Sequence, residues 1–245
     1  MTTVMDMYHP LQVNPITGEP FLRLPSPLDN IIITPPRLSD ASSIVSILND
    51  PRVCRSLTGP PYPYLLSHAE DWLKASMAES DALLCELAKA GQEKKESPPS
   101  IVGACPIRTL REVKNDGTEV FLGDICLRRC EFQFEEPDEE RIRQSDENWR
   151  REPGNPELVY CVGDYIASSH HCRGIMSAAL GILLSAWAIP RMGARKIRVE
   201  IFKGNDASVR VFEKNGFVIE KTVEKEVTTN FGDVKSGSHI LWWRR

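Results

Sequence analysis

Several features that would assign the chain to a specialised class are missing from the sequence. It contains no apolar run that approaches the ~20 residues of a membrane-spanning helix. Met1 to Pro10 has neither the basic start nor the apolar core of a secretory signal. The net charge of −4 argues against a general nucleic-acid-binding surface. We therefore expect a protein of the cytoplasm, with the nucleus left open, that works without a membrane or a nucleic acid.

The cysteines form neither a metal-binding pattern nor a disulfide pattern. There are seven of them, scattered along the chain, with no Cys-x-x-Cys pair. Cys126 and Cys130 lie close together in sequence, but no histidine lies near them at the spacing of a zinc ligand. The sequence therefore predicts reduced thiols and no metal site.

Length and composition are those of an ordinary globular protein. The 245 residues, 41% hydrophobic and 26% charged, are enough for one large domain or one domain with insertions. Residues 1–29 carry several prolines and no hydrophobic periodicity, which predicts an extended N-terminal arm. We expect residues 30–245 to form one domain with a charged insertion at about 109–158.

Predicted strands and helices alternate along this domain, as in an α/β or α+β fold. An early helix is expected after Ser39 and a second one after Ser67. Residues 131–157 are polar, and we expect them to be poorly ordered or covered by a short helix. The remaining predicted helices are 174–188 and 206–214; the predicted strands are 31–34, 81–87, 101–107, 120–127, 160–166, 196–202, 217–227 and 238–243.

A candidate anion site lies where the strand 160–166 gives way to the helix 174–188. The segment between them reads His171-Cys172-Arg173-Gly174-Ile175-Met176. A strand that turns at a glycine into a helix leaves backbone N–H groups at the positive end of the helix dipole, where phosphates bind. Gly174 would allow close approach, and Arg173 would add charge. The alternative is an ordinary helix start with a surface arginine.

Three ordered segments resemble the GNAT superfamily of acyl-CoA-dependent N-acetyltransferases. His171-x-x-Gly174-x-Met176 stands where the family has its pyrophosphate loop, Gln/Arg-x-x-Gly-x-Gly/Ala, and departs from it at both His171 and Met176. Asn205-x-x-Ser208 resembles the start of the next helix, and residues 213–217 resemble its end. Residues 36–41 and 49–53 are similar to the first strand–helix unit of the branch that acetylates ribosomal-protein N-termini.

The resemblance implies a mixed, mostly antiparallel central sheet flanked by helices and split at its central strands. It also implies acetyl-CoA as cosubstrate, lying in the split, with main-chain groups at Ile166 and Ala167 polarising the thioester carbonyl. Gly163 would mark the bulge of the split strand or pack against a bulky neighbour. The cofactor-binding residues that it implies are Tyr165, Ile166, Ala167, His171, Cys172, Arg173, Gly174, Ile175, Met176, Asn205, Ser208 and Phe212.

The resemblance gives candidate catalytic residues but leaves their roles open. Asn205 would contact the cofactor arm or the acceptor and also help start its helix, or it would only cap that helix. Ser208 would relay a proton to the leaving thiolate. Phe212 stands where many of these enzymes have a tyrosine as general acid. The candidates for the general base are Asp164, Glu200, Tyr165 and Glu131, because strand alternation does not say which face meets the acceptor.

The function that these residues predict is acetyl-CoA-dependent N-acetyl transfer. A primary amine, either a small molecule or a protein N-terminus, would attack the thioester directly within a ternary complex. The acidic run 131–140 would rim the acceptor pocket, or be a solvated loop. The alternative is a catalytically weak, GNAT-like acyl-CoA-binding or regulatory module, which Phe212 and His171 favour. The oligomeric state stays open.

Overall fold

A nine-stranded sheet forms the centre of the computed structural model, which describes residues 8–93 and 100–245. Its strand order is β1-β2-β3-β4-β5-β6-β7-β11-β8, and every neighbouring pair is antiparallel except β6 and β7. The strands are β1 (Gln12–Val13), β2 (Pro20–Arg23), β3 (Ile31–Thr34), β4 (Thr109–Val113), β5 (Glu119–Arg129), β6 (Val159–Ile166), β7 (Lys196–Phe202), β8 (Val218–Val223) and β11 (Ser238–Arg244). A separate hairpin contains β9 (Val227–Thr228) and β10 (Val234–Lys235). The predicted mixed, mostly antiparallel sheet is confirmed.

Helices flank this sheet. They are α1 (Ala41–Leu48), α2 (Pro51–Cys54), α3 (Leu66–Glu93), α4 (Asp138–Arg150), α5 (Ile175–Leu183), α6 (Ile189–Met192) and α7 (Asp206–Glu213). A π-helical turn, Leu184–Ala188, joins α5 to α6, and Gly193 ends α6 in the left-handed conformation. By length and composition alone, Ile175–Met192 could cross a membrane. In the fold its apolar side chains, such as Trp187, are buried in the core.

The two faces of the sheet carry different groups. On one face, called the α5 face, Ile125, Tyr160 and Val199 pack into one core with the apolar side of α5. On the other, called the α1 face, Phe121 and Tyr165 pack with α1 and the start of α3. Because side chains alternate along a strand, these contacts assign every residue of β6 and β7 to a face.

Two predicted strands are wrong. Residues 81–87 belong to the long helix α3, where Leu83 and Leu87 are buried one helical turn apart. Residues 101–107 are a loop that packs beside α6, with the Val102 N–H donating to the Arg191 carbonyl at 2.8 Å. A short apolar run suits a strand and a buried helix equally, which explains the error at 81–87. At 101–107, packing beside α6 takes the place of pairing with a strand. The predicted loop 91–100 begins inside α3, and its residues 94–99 lie outside the described residues.

The segment predicted as an extended arm adds to the edge of the sheet. Its described part, residues 8–29, forms β1 and β2, and Leu11, Leu22 and Leu24 are buried in the main core. The Arg191 side chain donates to the His9 carbonyl. Residues 1–7 of the predicted arm lie outside the described residues.

The charged insertion carries a helix, α4, which is one of the two outcomes expected for it. Asn148 is fully buried and fastens α4 to the sheet. Its Nδ2 donates to the Cys130 carbonyl at 3.0 Å and the Val159 carbonyl at 2.8 Å, and its Oδ1 accepts from the Val159 N–H at 2.8 Å. The end of β5 and the start of β6 are therefore joined through one side chain.

Replacement of Asn148 by alanine should destabilise the fold, because three buried hydrogen bonds to the backbone are lost. We expect Asn148→Ala to lower the free energy of unfolding by about 2–4 kcal/mol, measured by urea denaturation. Gln144→Ala is the control on the same helix, since among the described residues the Gln144 side chain bonds Glu140 alone. It should change the free energy of unfolding by less than about 0.5 kcal/mol. Equal effects would mean that Asn148 does not anchor α4.

Candidate functional site

β6 and β7 separate soon after they meet. Among the described strands they pair only at Val159 with Lys196 and at Tyr160 with Ile197. On its other side β6 bonds β5 through odd-numbered residues, as the Cys130 N–H bond to the Val159 carbonyl shows. Because the bonds of an antiparallel strand alternate sides, the N–H groups of residues 162, 164 and 166 point into the gap. The predicted split of the central strands is confirmed.

Contacts on the far side of each strand hold the gap open. A Cβ atom at Gly123 of β5 would stand 2.2 Å from the Tyr165 carbonyl oxygen, so only glycine lets β5 approach the end of β6 so closely. The Ala167 N–H then donates to the Leu122 carbonyl at 2.7 Å. β7 instead pairs with β11 along its whole length. At Gly163, a Cβ would meet the Cys126 sulfur at an ordinary 3.4 Å, so Gly123 makes the close approach.

The loop after β6, called the cradle, has the open backbone geometry of a candidate anion site. Gly174 is the N-cap of α5 with a left-handed φ of 76°, and within the described chain a Cβ there would meet nothing closer than 4 Å. Cys172 also has a left-handed φ, of 59°. The His171 Nε2 donates to the Ile166 carbonyl at 3.0 Å, which folds the loop back onto the end of β6. Backbone N–H groups at the start of α5 thus face open space.

Two carboxylates fix this loop to its surroundings. Asp50, the N-cap of α2, accepts a hydrogen bond of 2.5 Å from the Ser168 hydroxyl. Glu112 of β4 lies 3.5 Å from the His170 Nε2 and 3.8 Å from the Arg173 guanidinium. Arg173 is still 43% exposed along its side chain, so its charge can face an anion at the loop.

One cleft of about 1360 Å³ joins the cradle, the gap and the α1 face. Nearly all the predicted site residues line it: Asp164, Tyr165, Ile166, His171, Cys172, Arg173, Gly174, Ile175, Met176, Glu200, Asn205, Ser208 and Phe212, together with Glu131. Ala167 does not line it, and its N–H is already bonded to Leu122. The fold therefore brings together residues that lie far apart in the sequence.

Helix α7 presents its first turn to the cleft. The Asn205 side chain caps this helix by accepting a hydrogen bond of 3.3 Å from the Ser208 N–H. Phe212 is 2% exposed and packs edge-on against Phe217, with 5.1 Å between the ring centroids. Asn205 thus caps its helix at the cleft. Phe212 is held in the core with only an apolar edge at the cleft.

The candidate bases lie on different faces of the sheet. Glu200 shares the α1 face with Tyr165, because its neighbours Val199 and Ile201 pack on the α5 face. Burial raises the pKa of the Glu200 carboxyl to about 7, against the smaller opposite effects of Arg198 and Arg128. Its Oε1 is buried without a hydrogen-bond partner among the described residues, 3.4 Å from the Arg198 Nη1. Such a carboxylate can take up a proton near neutral pH.

Asp164, Tyr165 and Glu131 fit the role of base less well. Asp164 pairs with Ile125 of the neighbouring strand β5 and therefore lies with it on the α5 face. Burial, with a smaller effect of Asp124, raises the pKa of Asp164 to about 6. Burial raises the pKa of the Tyr165 phenol well above its ordinary value, so Tyr165 remains protonated. Glu131 is exposed at the edge of the cleft.

The sequence analysis missed a buried ion pair in the wall of the cleft. The Arg108 Nε and Nη2 bind the two oxygens of Asp124 at 2.8 and 3.0 Å, and the guanidinium stacks over the Trp72 ring at 4.7 Å. Asp124 is 3% exposed. The sequence did contain a signal for this pair: Asp124 is a charged residue inside the predicted apolar strand 120–127. A buried carboxylate needs a cationic partner.

A known protein family covers the residues that form this site. The family described as the acetyltransferase (GNAT) domain matches residues 30–218, most of the chain. The chain belongs to the GNAT acetyltransferase family. It is therefore an acyltransferase, and acetyl-CoA is the cosubstrate. No curated protein matches this GNAT chain by sequence.

Solved structures share the fold at low sequence identity. The ribosomal-protein-S5-alanine acetyltransferase from Vibrio fischeri has a TM-score of 0.55 at 16% identity, covering 91% of this chain and 96% of that one. RimL, the ribosomal L7/L12 α-N-protein acetyltransferase in complex with coenzyme A, has 0.58 at 14%, covering 91% and 97%. The microcin C7 self-immunity acetyltransferase MccE, in complex with acetyl-CoA and AMP, has 0.56 at 14%, covering 90% and 97%. At such identities these similarities show the fold alone.

Alanine at position 174 should weaken acetyl-CoA binding, because a side chain would enter the cradle. Saturating acetyl-CoA, at about 100 times Kd, should raise the Tm of the unaltered protein by roughly 5–10 °C. In Gly174→Ala this rise should fall by at least about half. The control Gly117→Ala has a similar φ of 84° and equally open space in the β4–β5 turn, so it should lose similar stability, about 1 kcal/mol, but keep the full rise. A full rise in Gly174→Ala would place the phosphates elsewhere.

Proposed function

We propose that the protein is an acetyl-CoA-dependent N-acetyltransferase that acetylates a primary amine by direct attack within a ternary complex. The observation that carries this proposal is the continuous cleft, in which the anion cradle, the gap between β6 and β7 and the buried Glu200 carboxylate succeed one another. Both substrates fit in one cleft, so the chain needs no covalent intermediate of its own.

The residues present fit acetyl-CoA. The N–H groups of the loop 171–176 would hold its pyrophosphate, with Arg173 adding charge. The inward N–H groups of residues 162, 164 and 166 would bond its extended arm as a strand bonds its neighbour. When bound, acetyl-CoA supplies an acetyl group activated as a thioester. The N–H of Ile166 is the donor available to the thioester oxygen, since that of Ala167 is bonded to Leu122.

Glu200 is the residue that we assign as general base. It lies on β7 beside the gap and lines the cleft, and its carboxylate accepts the proton of the attacking amine directly or through a water. The fully buried Arg198 beside it limits the rise in its pKa to about 7, so the carboxyl is ionised above neutral pH. Asp164, on the opposite face, is assigned no proton transfer.

Ser208 remains the candidate that returns a proton to the leaving thiolate. It lies in the first turn of α7 and lines the cleft. Phe212 has no proton to give, so Ser208 or water must supply it. The alternative of a weakly active binding module predicts acetyl-CoA binding without amine-dependent release of CoA, and steady-state CoA release separates the two.

The acceptor end of the cleft favours a primary amine attached to an apolar body. Its walls include Leu48, Val53, Leu57, Tyr64 and Trp72. A protein N-terminus and a small amine both meet this description, so the proposed acceptor belongs to either of these two classes. The seven cysteines are free thiols, which supports a reducing, cytoplasmic setting.

Loss of the Glu200 carboxylate should abolish the pH dependence of catalysis. We expect kcat/KM to rise with pH around a midpoint near 7 in the unaltered protein, and Glu200→Gln to lower it at least about 100-fold and flatten the profile. Asp164→Asn is the matched control, a buried carboxyl on the other face, and should retain the rise. The assignment is wrong if Asp164→Asn removes the rise and Glu200→Gln keeps it.

Folding stability gives a second check on Glu200. Its pKa is raised from 4.5 to about 7, so the folded protein binds the proton more tightly than the unfolded chain. The unaltered protein should therefore lose stability as pH rises from about 4.5 to 7, and the full loss is present above pH 7. Glu200→Gln removes this loss, so at pH 8 its Tm should equal or exceed that of the unaltered protein.

A further inference from the structure

Arg128 is a cation in the cleft that the proposed chemistry does not use. It lies on β5 directly opposite Cys161 of β6, and it is exposed and lines the cleft. Within residues 8–93 and 100–245 its side chain makes no hydrogen bond and no ion pair. An arginine that is open to a cleft and has no carboxylate partner in the chain is suited to bind an anion there.

The other arginines of this wall are already bonded to protein groups. Arg108 binds a buried carboxylate of β5 through two hydrogen bonds. The Arg129 Nη1 donates to three main-chain carbonyls at the end of α4, at 2.7–2.9 Å. Arg198 is fully buried and contacts a carbonyl and a carboxylate of the charged insertion, at 3.0 and 3.2 Å. Arg128 differs from them, because its N–H donors are left for a ligand.

Arg128 and Glu200 face the same side of the gap. Directly opposite residues of an antiparallel pair share a face, and Cys161 alternates with Tyr165 along β6, so Arg128 lies on the α1 face. The register of β6 and β7 puts Glu200 two strands away and two residues further along the sheet. Strand spacings then place the two Cα atoms roughly 12 Å apart, which two long side chains and a small molecule between them can span.

The charges of Arg128 and Glu200 act on each other through the cleft. Burial raises the pKa of the Glu200 carboxyl to about 7, and Arg198 and then Arg128 oppose this rise. Arg198 is fully buried, whereas Arg128 is exposed to a molecule in the cleft. The α1 face therefore presents an accessible cation near the carboxylate that receives the proton, an arrangement complementary to a molecule that carries both an amine and a carboxylate.

We propose that Arg128 binds a carboxylate of the acceptor, so that the enzyme acetylates amino acids whose amine meets Glu200 while their carboxylate meets Arg128. This inference rests on the proposed function and narrows its acceptor to a small zwitterion. A guanidinium binds a carboxylate through two parallel hydrogen bonds, which also orients the amine for the attack. Arg128 is thus a specificity-determining residue, and Glu200 keeps the proton transfer.

The test compares two acceptors that differ only at the carboxylate. L-phenylalanine and L-phenylalaninamide share the amine and an apolar body. Their amines differ in basicity, so the ratio of the two kcat/KM values is compared between variants, well above pH 7, where Glu200 is ionised. Arg128→Gln should lower the preference for the free acid by about 10- to 100-fold, through a higher KM for the free acid.

Matched variants separate this role from a general effect of charge. Arg143→Gln removes the same charge from an exposed arginine of α4 that does not line the cleft and is paired with Glu140 and Glu147. It should leave the preference unchanged. Arg128→Lys keeps the charge without the two-point contact and should retain part of the preference. An unchanged preference in Arg128→Gln, or an equal loss in Arg143→Gln, would overturn the inference.

Folding of the variants is checked by their Tm. Arg128 has no partner to lose among the described residues, so the Tm of Arg128→Gln should stay within about 2 °C of that of the unaltered protein. If Arg128→Gln does not fold, Arg128→Lys decides the question with the same two acceptors. A preference in Arg128→Lys equal to that of the unaltered protein then counts against the inference.

Calorimetric binding of both acceptors to the protein saturated with CoA distinguishes failure of this inference from failure of the proposed function. A preference for the free acid that is lost in Arg128→Gln supports the inference even if neither compound is acetylated, and absence of acetylation then counts against the proposed function alone. A ratio of the two Kd values that Arg128→Gln leaves unchanged, or no binding of either compound, overturns the inference.

Discussion

The separation of β6 from β7 is the constraint on which the rest of the site depends. Each strand is held on its far side, β6 by β5 through the close approach at Gly123 and β7 by its full pairing with β11. Backbone groups that would otherwise bond across the sheet are left facing one another over a gap. Unpaired N–H groups in a protein interior need partners, and an extended polar ligand provides them without any specialised side chain.

The position of the gap also explains why one carboxylate is suited to proton transfer. Glu200 lies at the edge of the opened region, where it is largely out of water yet open to the cleft. Burial alone would keep the group protonated, and the neighbouring Arg198 opposes that effect. Arg198 in turn is held by the Gln133 carbonyl and by Glu135, both in the charged insertion. The insertion therefore supports the electrostatics of the cleft as well as lining its edge.

The parts of the site that depend on local backbone geometry could be predicted from the sequence. Gly174 after a strand and before an apolar helix predicts a left-handed turn with unbonded helix N–H groups, because both are local properties of the backbone. The cap that Asn205 forms at the start of α7 is also a local feature of the chain. By contrast, residues 81–87 were predicted as a strand. A short run containing Leu83 and Leu87 fits the period of a strand and that of a helix equally well, and only the long helix α3 shows which one applies.

The sequence by itself determined the family, the alternation of strands and helices around the cradle, and the short set of carboxylates that could act as base. Only the tertiary structure places Glu200 and Asp164 on opposite faces of the sheet. Glu200 and Asp164 occupy similar positions in their strands, and which of them meets the acceptor depends on which face α5 covers. The close approach of β5 to β6 at Gly123 also arises between segments distant in sequence. Such relations depend on strand register and packing, which are properties of the assembled sheet rather than of any one segment.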